Sequence, residues 1–176
     1  MNLPRRISIV MMSLVWAAPV AAASAPIPPA PPDIAGLTLP TGTLVPFAGH
    51  SGGLAFEDVS RSSFSKSGGT VVRYEVNQPP IPTTYGAAVQ MVGRSRVICA
   101  DQTVQEAGLV AYDRDGKVVM WLPEETAQPA RGRGMAEALV ILVCQGAHPP
   151  SPPLNGHQEA FAYATRALAS GAGPKD

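Results

Sequence analysis

The sequence predicts an α+β fold: an antiparallel β-sheet packed by a helix near the C-terminal end of the domain and tied by one disulfide. Three observations carry that expectation. Apolar and polar residues alternate through much of the chain between residues 42 and 122, as in strands that bury one face. From Gly132 to Gly146 the apolar spacing changes to three and four, the period of a helix. Two cysteines, Cys99 and Cys144, fall one in each kind of region.

Taken in order, Thr43 to Gly52 reads as a first strand, with Pro46 suggesting an edge position. Leu54 and Phe56 then alternate, and the glycines of "SKSGG" (65–69) make a turn. Beyond it Val72, Tyr74 and Val76 point one way, while Val71, Arg73 and Glu75 point the other, towards solvent in a half-buried sheet. The three prolines of "NQPPIPTTYG" (77–86) predict an irregular loop. In residues 87–102, Val97 and Cys99 share one face, with Arg94 and Arg96 on the opposite one. Leu109 to Leu122 reads as a hairpin about Asp113–Gly116, where Asp-Gly supplies the positive φ of a tight turn, and Pro123 ends the returning strand.

Met135, Ala138, Leu139, Ile141, Leu142 and Gln145 align on one side of the expected helix, and Gly146 is its C-cap with Pro149 soon after. The run is also valine- and isoleucine-rich enough for a buried strand at 140–143, but its Ala-Glu-Ala start and its spacing favour the helix. A last amphipathic helix aligns Phe161, Ala164 and Leu168.

Residues 1–25 follow the order of a secretory signal peptide: Arg5 and Arg6, an apolar run from Ile7 to Val20, then small residues at Ala21, Ala23 and Ala25. The run is broken by Pro19 and falls short of the ~20 residues of a spanning helix. Cleavage would leave an exported chain with no membrane span: a proline-rich linker (26–41), a domain (42–146), a second proline-rich linker (147–156), and a short helix with a tail (157–176). The 13 basic residues equal the 13 acidic ones, and losing Arg5 and Arg6 tips the balance acidic. Nucleic-acid binding, which calls for a clear basic excess, is disfavoured.

An even cysteine count in an oxidising compartment favours a Cys99–Cys144 disulfide over a reactive or metal-bound thiol. No C-x-x-C, H-x-x-x-H or H-E-x-x-H spacing occurs, and His50, His148 and His157 read as exposed loop residues. Glu124 and Glu125 read as a solvated turn, and "GHSGG" (49–53) lacks the spacing of a nucleophile elbow. No catalytic residue, cofactor or metal site is therefore expected. Arg94 and Arg96, with Arg131 and Arg133 at a helix N-terminus where the dipole disfavours cations, form a possible basic binding patch.

The order of these pieces resembles the surface-adhesin protein E-like family of exported bacterial domains. Phe56, Asp58, Phe64 and Val71 stand at its opening positions, followed by Cys99, by Tyr112, Asp113 and Gly116 in the hairpin, and by Cys144 closing "EALVILVC". The resemblance spans Leu44 to Cys144. It departs where "RGRG" (131–134) replaces a proline-glycine-serine lead and where Phe56 replaces tyrosine. It implies an antiparallel sheet packed by a helix, the two cysteines bonded, and adhesion to host matrix proteins. The functional expectation is a secreted, non-enzymatic binding module whose partners are host matrix or envelope macromolecules. An exported enzyme with a reactive cysteine, or a structural envelope protein without a soluble ligand, are the alternatives.

Overall fold

The computed structural model describes residues 27, 29–30, 32–50 and 52–171, so the expected signal peptide lies outside the described residues. Among them, nine strands make one antiparallel sheet: β1 (Thr43–His50), β2 (Gly53–Asp58), β3 (Ser63–Ser65), β4 (Gly68–Thr83), β5 (Gly86–Ile98), β6 (Thr103–Tyr112), β7 (Val118–Glu124), β8 (Gln128–Pro129) and β9 (Leu154–Asn155). The main path runs β7-β6-β5-β4-β2-β1-β9, with β3 added to β4 and β8 to β6. One turn of helix, α1 (Pro32–Ala35), precedes the sheet, while α2 (Gly134–Gln145) follows β8 and α3 (Gly156–Ala169) follows β9. The antiparallel sheet, the packed helix and the disulfide stand as expected, in a chain more dominated by sheet than the α+β label implies.

Both faces of the sheet are covered, which corrects the half-buried expectation. Helix α2 lays Leu139, Val140, Leu142 and Val143 on Val71, Val97 and Val104. The opposite face carries Val72, Tyr74, Val76, Val92 and Val110, under Ala160 and Ala164 of α3 and under Ile34 and Leu37 of the N-terminal segment. Arg73 and Glu75 consequently lie buried beside α2's layer, not in solvent. A period-two pattern shows that two faces differ, not whether a second layer arrives to cover the polar one.

The segments expected to be linker and tail belong to this core. Ile34 and Leu37 are fully buried, and the Tyr112 hydroxyl donates to the Leu37 carbonyl. The segment continues as a strap: Arg61 donates to the Thr38 carbonyl, and His157 N donates to the Pro40 carbonyl. Helix α3 docks beside the strap, with Tyr163 edge-on to Phe56 at 6.2 Å between ring centroids. Leu154 and Asn155 leave the second proline tract to pair with Leu44 and Thr43. Isolated aliphatics among prolines carry no local period, so their burial is visible only in three dimensions.

Strand β4 runs through the prolines expected to form a loop. Its pairing with β2 ends at Gly53–Asn77, so beyond that point one side of β4 has no ladder to lose. The register with β5 breaks between Val76 and Ile81, and pairing resumes at Ile81–Ala88. Pro123 likewise fails to stop β7, because β7 is the outermost strand and Glu124 still pairs with Ala107. The 113–116 turn forms as expected, with Gly116 at φ +79° and the Asp113 carboxylate accepting from the Asp115 and Lys117 amides. Helix α2 ends on Gly146 in the left-handed region. Its buried side differs from the expected one: Val140 and Val143 turn inward, and Ile141 is exposed.

Candidate functional site

Cys99, just past β5, and Cys144, in the last turn of α2, form a disulfide with Cα atoms 5.6 Å apart. The bond ties the end of the strand to the helix that covers it. Both sulfurs are consumed, so neither is a nucleophile or a metal ligand. Asp101 is exposed in the turn that follows. No group of three or more potential metal ligands converges among the described residues.

The four arginines divide between two layers. Arg94 and Arg96 pair with Val72 and Thr70 on β4, which sets them on the sheet face that α3 and the strap cover. Arg94 is half-buried, and the exposed Arg96 donates to Gln105. Arg131 and Arg133 are exposed in the loop leading into α2, which packs on the other face. The structure brings each pair together but does not join the two pairs on one face.

The histidines are not three equivalent loop residues. His157 lies in the first turn of α3, its Nδ1 3.0 Å from the Pro40 carbonyl. His148, after α2, places Nε2 3.6 Å from Glu57 Oε2. His50 belongs to β1, and its side chain lies outside the described residues.

Beside α2's footprint a charged cluster is closed into the sheet. Arg73 on β4 contacts Glu75 and the Ser95 hydroxyl and reaches Glu106 on β6 at 2.7 Å. Its guanidinium lies against Gly93, where an added Cβ would stand 2.8 Å from Cζ. Burial opposes the charge of Arg73, but the Glu75 and Glu106 carboxylates outweigh it and hold the guanidinium protonated. Every strong donor here is directed at an internal acceptor, so the cluster acts as structure. Glu57, across the ladder from Arg73, is 2% exposed with Oε2 lacking a hydrogen-bond partner. Its pKa is raised, chiefly by burial, against the opposing pull of His148.

An open groove lies along β7, the edge strand among the described residues. The tip of the β4–β5 hairpin curls towards β7, where the Thr83 hydroxyl bonds the Val119 carbonyl at 3.1 Å. The tip and strand enclose a groove of about 720 Å³ lined by Pro82, Thr84, Tyr85, Val119, Met120 and Trp121, with Ile27 of the N-terminal segment in its wall. That volume lies within the ~300–1,000 Å³ of small-ligand and peptide sites. Tyr85 and Thr84 offer hydroxyls for which no partner occurs among the described residues, while Trp121 and Met120 supply polarizable apolar walls. Sequence reasoning missed this site because Tyr85 and Trp121 stand far apart in sequence and meet only through the hairpin's curl. The single usable signal was a threonine-tyrosine tip after prolines.

Comparison with protein-family models, with curated proteins and with solved structures found no match to this chain.

Proposed function

We propose that this chain is a secreted, non-enzymatic binding module of the bacterial envelope or cell surface, adhesin-like in the sense of the family it resembles. The observation that carries the reading is the Tyr85–Trp121 groove. Most large apolar side chains are packed between layers; Trp121 packs partly against them, and with the half-buried Tyr85 it also lines a groove at the rim of a braced sheet. Aromatic side chains lose little conformational entropy on binding and present large contact areas, which suits them to recognition. A disulfide fits an oxidising compartment, in line with the signal-peptide pattern. The exposed Arg96, Arg131 and Arg133 add positive charge that favours an acidic partner.

Solid-phase binding of the disulfide-intact chain to host matrix proteins and to cell-wall material tests this. Saturable binding that Tyr85→Ser weakens at least tenfold supports the reading. An absence of saturable binding to either surface rejects it.

A further inference from the structure

The groove's chemistry and the chain's own strap identify the kind of ligand it takes. We infer that the Tyr85–Trp121 groove binds an extended, proline-flanked aliphatic peptide supplied by another protein; this rests on the reading of the groove as a binding surface.

Ile27 in the groove wall belongs to the sequence Ala25-Pro-Ile-Pro-Pro-Ala-Pro-Pro-Asp33. By sequence Ile27 stands between two prolines, and in the structure it lines the same groove as Pro82, Tyr85 and Trp121. A proline-rich segment is extended before it binds, so seating it costs little conformational entropy. Its carbonyls make no internal hydrogen bonds and are open to donors. The Tyr85 and Thr84 hydroxyls are such donors at the rim, whereas the Thr83 hydroxyl is engaged with Gly86, Val119 and Tyr85. Among the described residues the lining carries no charged side chain, which disfavours an ionic ligand and matches an uncharged peptide core.

The strap's firm anchors lie further on, at Ile34 and Leu37. Ile27 precedes them and is the one described residue of the N-terminal segment that lines the groove, so an incoming peptide competes with Ile27 and leaves the anchors at Ile34 and Leu37 in place. Cis occupancy lowers the apparent affinity for a peptide in trans, in proportion to the fraction of time the groove is filled.

The test uses the full chain and a synthetic peptide of residues 25–33. Calorimetry is paired with tryptophan emission in a Trp16→Phe background, where Trp121 is the only tryptophan. Saturable binding is expected, tightening at least threefold in Ile27→Gly, shifting Trp121 emission, and weakening at least tenfold in Tyr85→Ser. Tyr85 is on the hairpin tip, and an unchanged melting temperature confirms that this variant folds. A control peptide with serine for isoleucine should bind at least tenfold more weakly. Equal binding of both peptides, insensitivity to Tyr85→Ser, or no binding to Ile27→Gly at millimolar peptide overturns the inference. Self-association that Ile27→Gly abolishes, without peptide binding, overturns it in favour of a second copy as occupant. Matrix binding that depends on Tyr85 without peptide binding sinks this inference and spares the wider reading; peptide binding without matrix or wall binding does the reverse.

Discussion

Ile34 occupies the space that a side chain on Gly108 would need: its Cγ2 lies 2.1 Å from the position of a Cβ there. Gly108 sits in β6 at φ +110°, where the register between β5 and β6 slips by one residue. The bulge opens a dimple, and the strap fills it. Gly108→Ala should therefore cost about 2–4 kcal/mol, combining backbone strain with overpacking. Ile34→Ala should cost about 2–5 kcal/mol through the cavity it leaves. Denaturant unfolding of both variants and their combination checks the pair, because residues in contact should lose less together than the sum of their separate losses.

Arg73 and its acids make a second coupled set. Arg73→Met leaves Glu75 buried without its cation, and about 3–5 kcal/mol should be lost. Replacing Arg73, Glu75 and Glu106 together by apolar residues should recover most of that loss, since no uncompensated charge remains. Chemical denaturation at pH 7 would show whether the triple variant is the more stable of the two.

For the disulfide, Cys99→Ser and Cys144→Ser should each reduce stability by a similar amount, with the double variant no worse. The closed loop has a sequence separation of 45, for which chain entropy gives about 4 kcal/mol. Melting curves of the three variants measure this, and additive losses would contradict a shared bond.

Glu57 sets a pH dependence of definite sign. Its folded pKa is raised above 4.5 by burial, so between those two values the folded chain keeps a proton that the unfolded chain has released. Stability from this group is present below pH 4.5 and is lost as pH rises through the folded value. The groups facing it are His148, Ser62, the adjacent Asp58 and, across the ladder, Arg73, whose guanidinium is engaged elsewhere. Glu57→Gln should flatten this slope and raise stability at pH 7, whereas His148→Ala should deepen the neutral-pH loss. Unfolding free energy followed from pH 4 to pH 8 gives both.

What could be read from the sequence was local or unique. The 113–116 turn depends on four adjacent residues, and the cysteine pairing on there being only two cysteines. The α2 helix was legible for its spacing, yet its buried side was not: in a run of leucine, valine and isoleucine every face is apolar, so Ile141 and Val140 could not be told apart. Arg73 and Glu75 look like any solvated strand face until α2 and Glu106 arrive. Ile34 and Leu37 look like spacer residues until Gly108 and Tyr112 receive them. The groove was hidden for the same reason, since Tyr85 and Trp121 become neighbours only after the prolines of β4 shift the hairpin's register.

The strap and α3 have a consequence for how the chain is made. The layer over Phe56 and Tyr74 is assembled from residues 34–37 at one end and 160–164 at the other, and β9 joins β1 across more than a hundred positions. A ribosome must therefore release residues 34 to 164 before this face can close. Contacts so distant in sequence form slowly, which keeps this face of the newly made chain open until late in folding. The last helix acts in time as well as in space: until it arrives, this face of the sheet stays open.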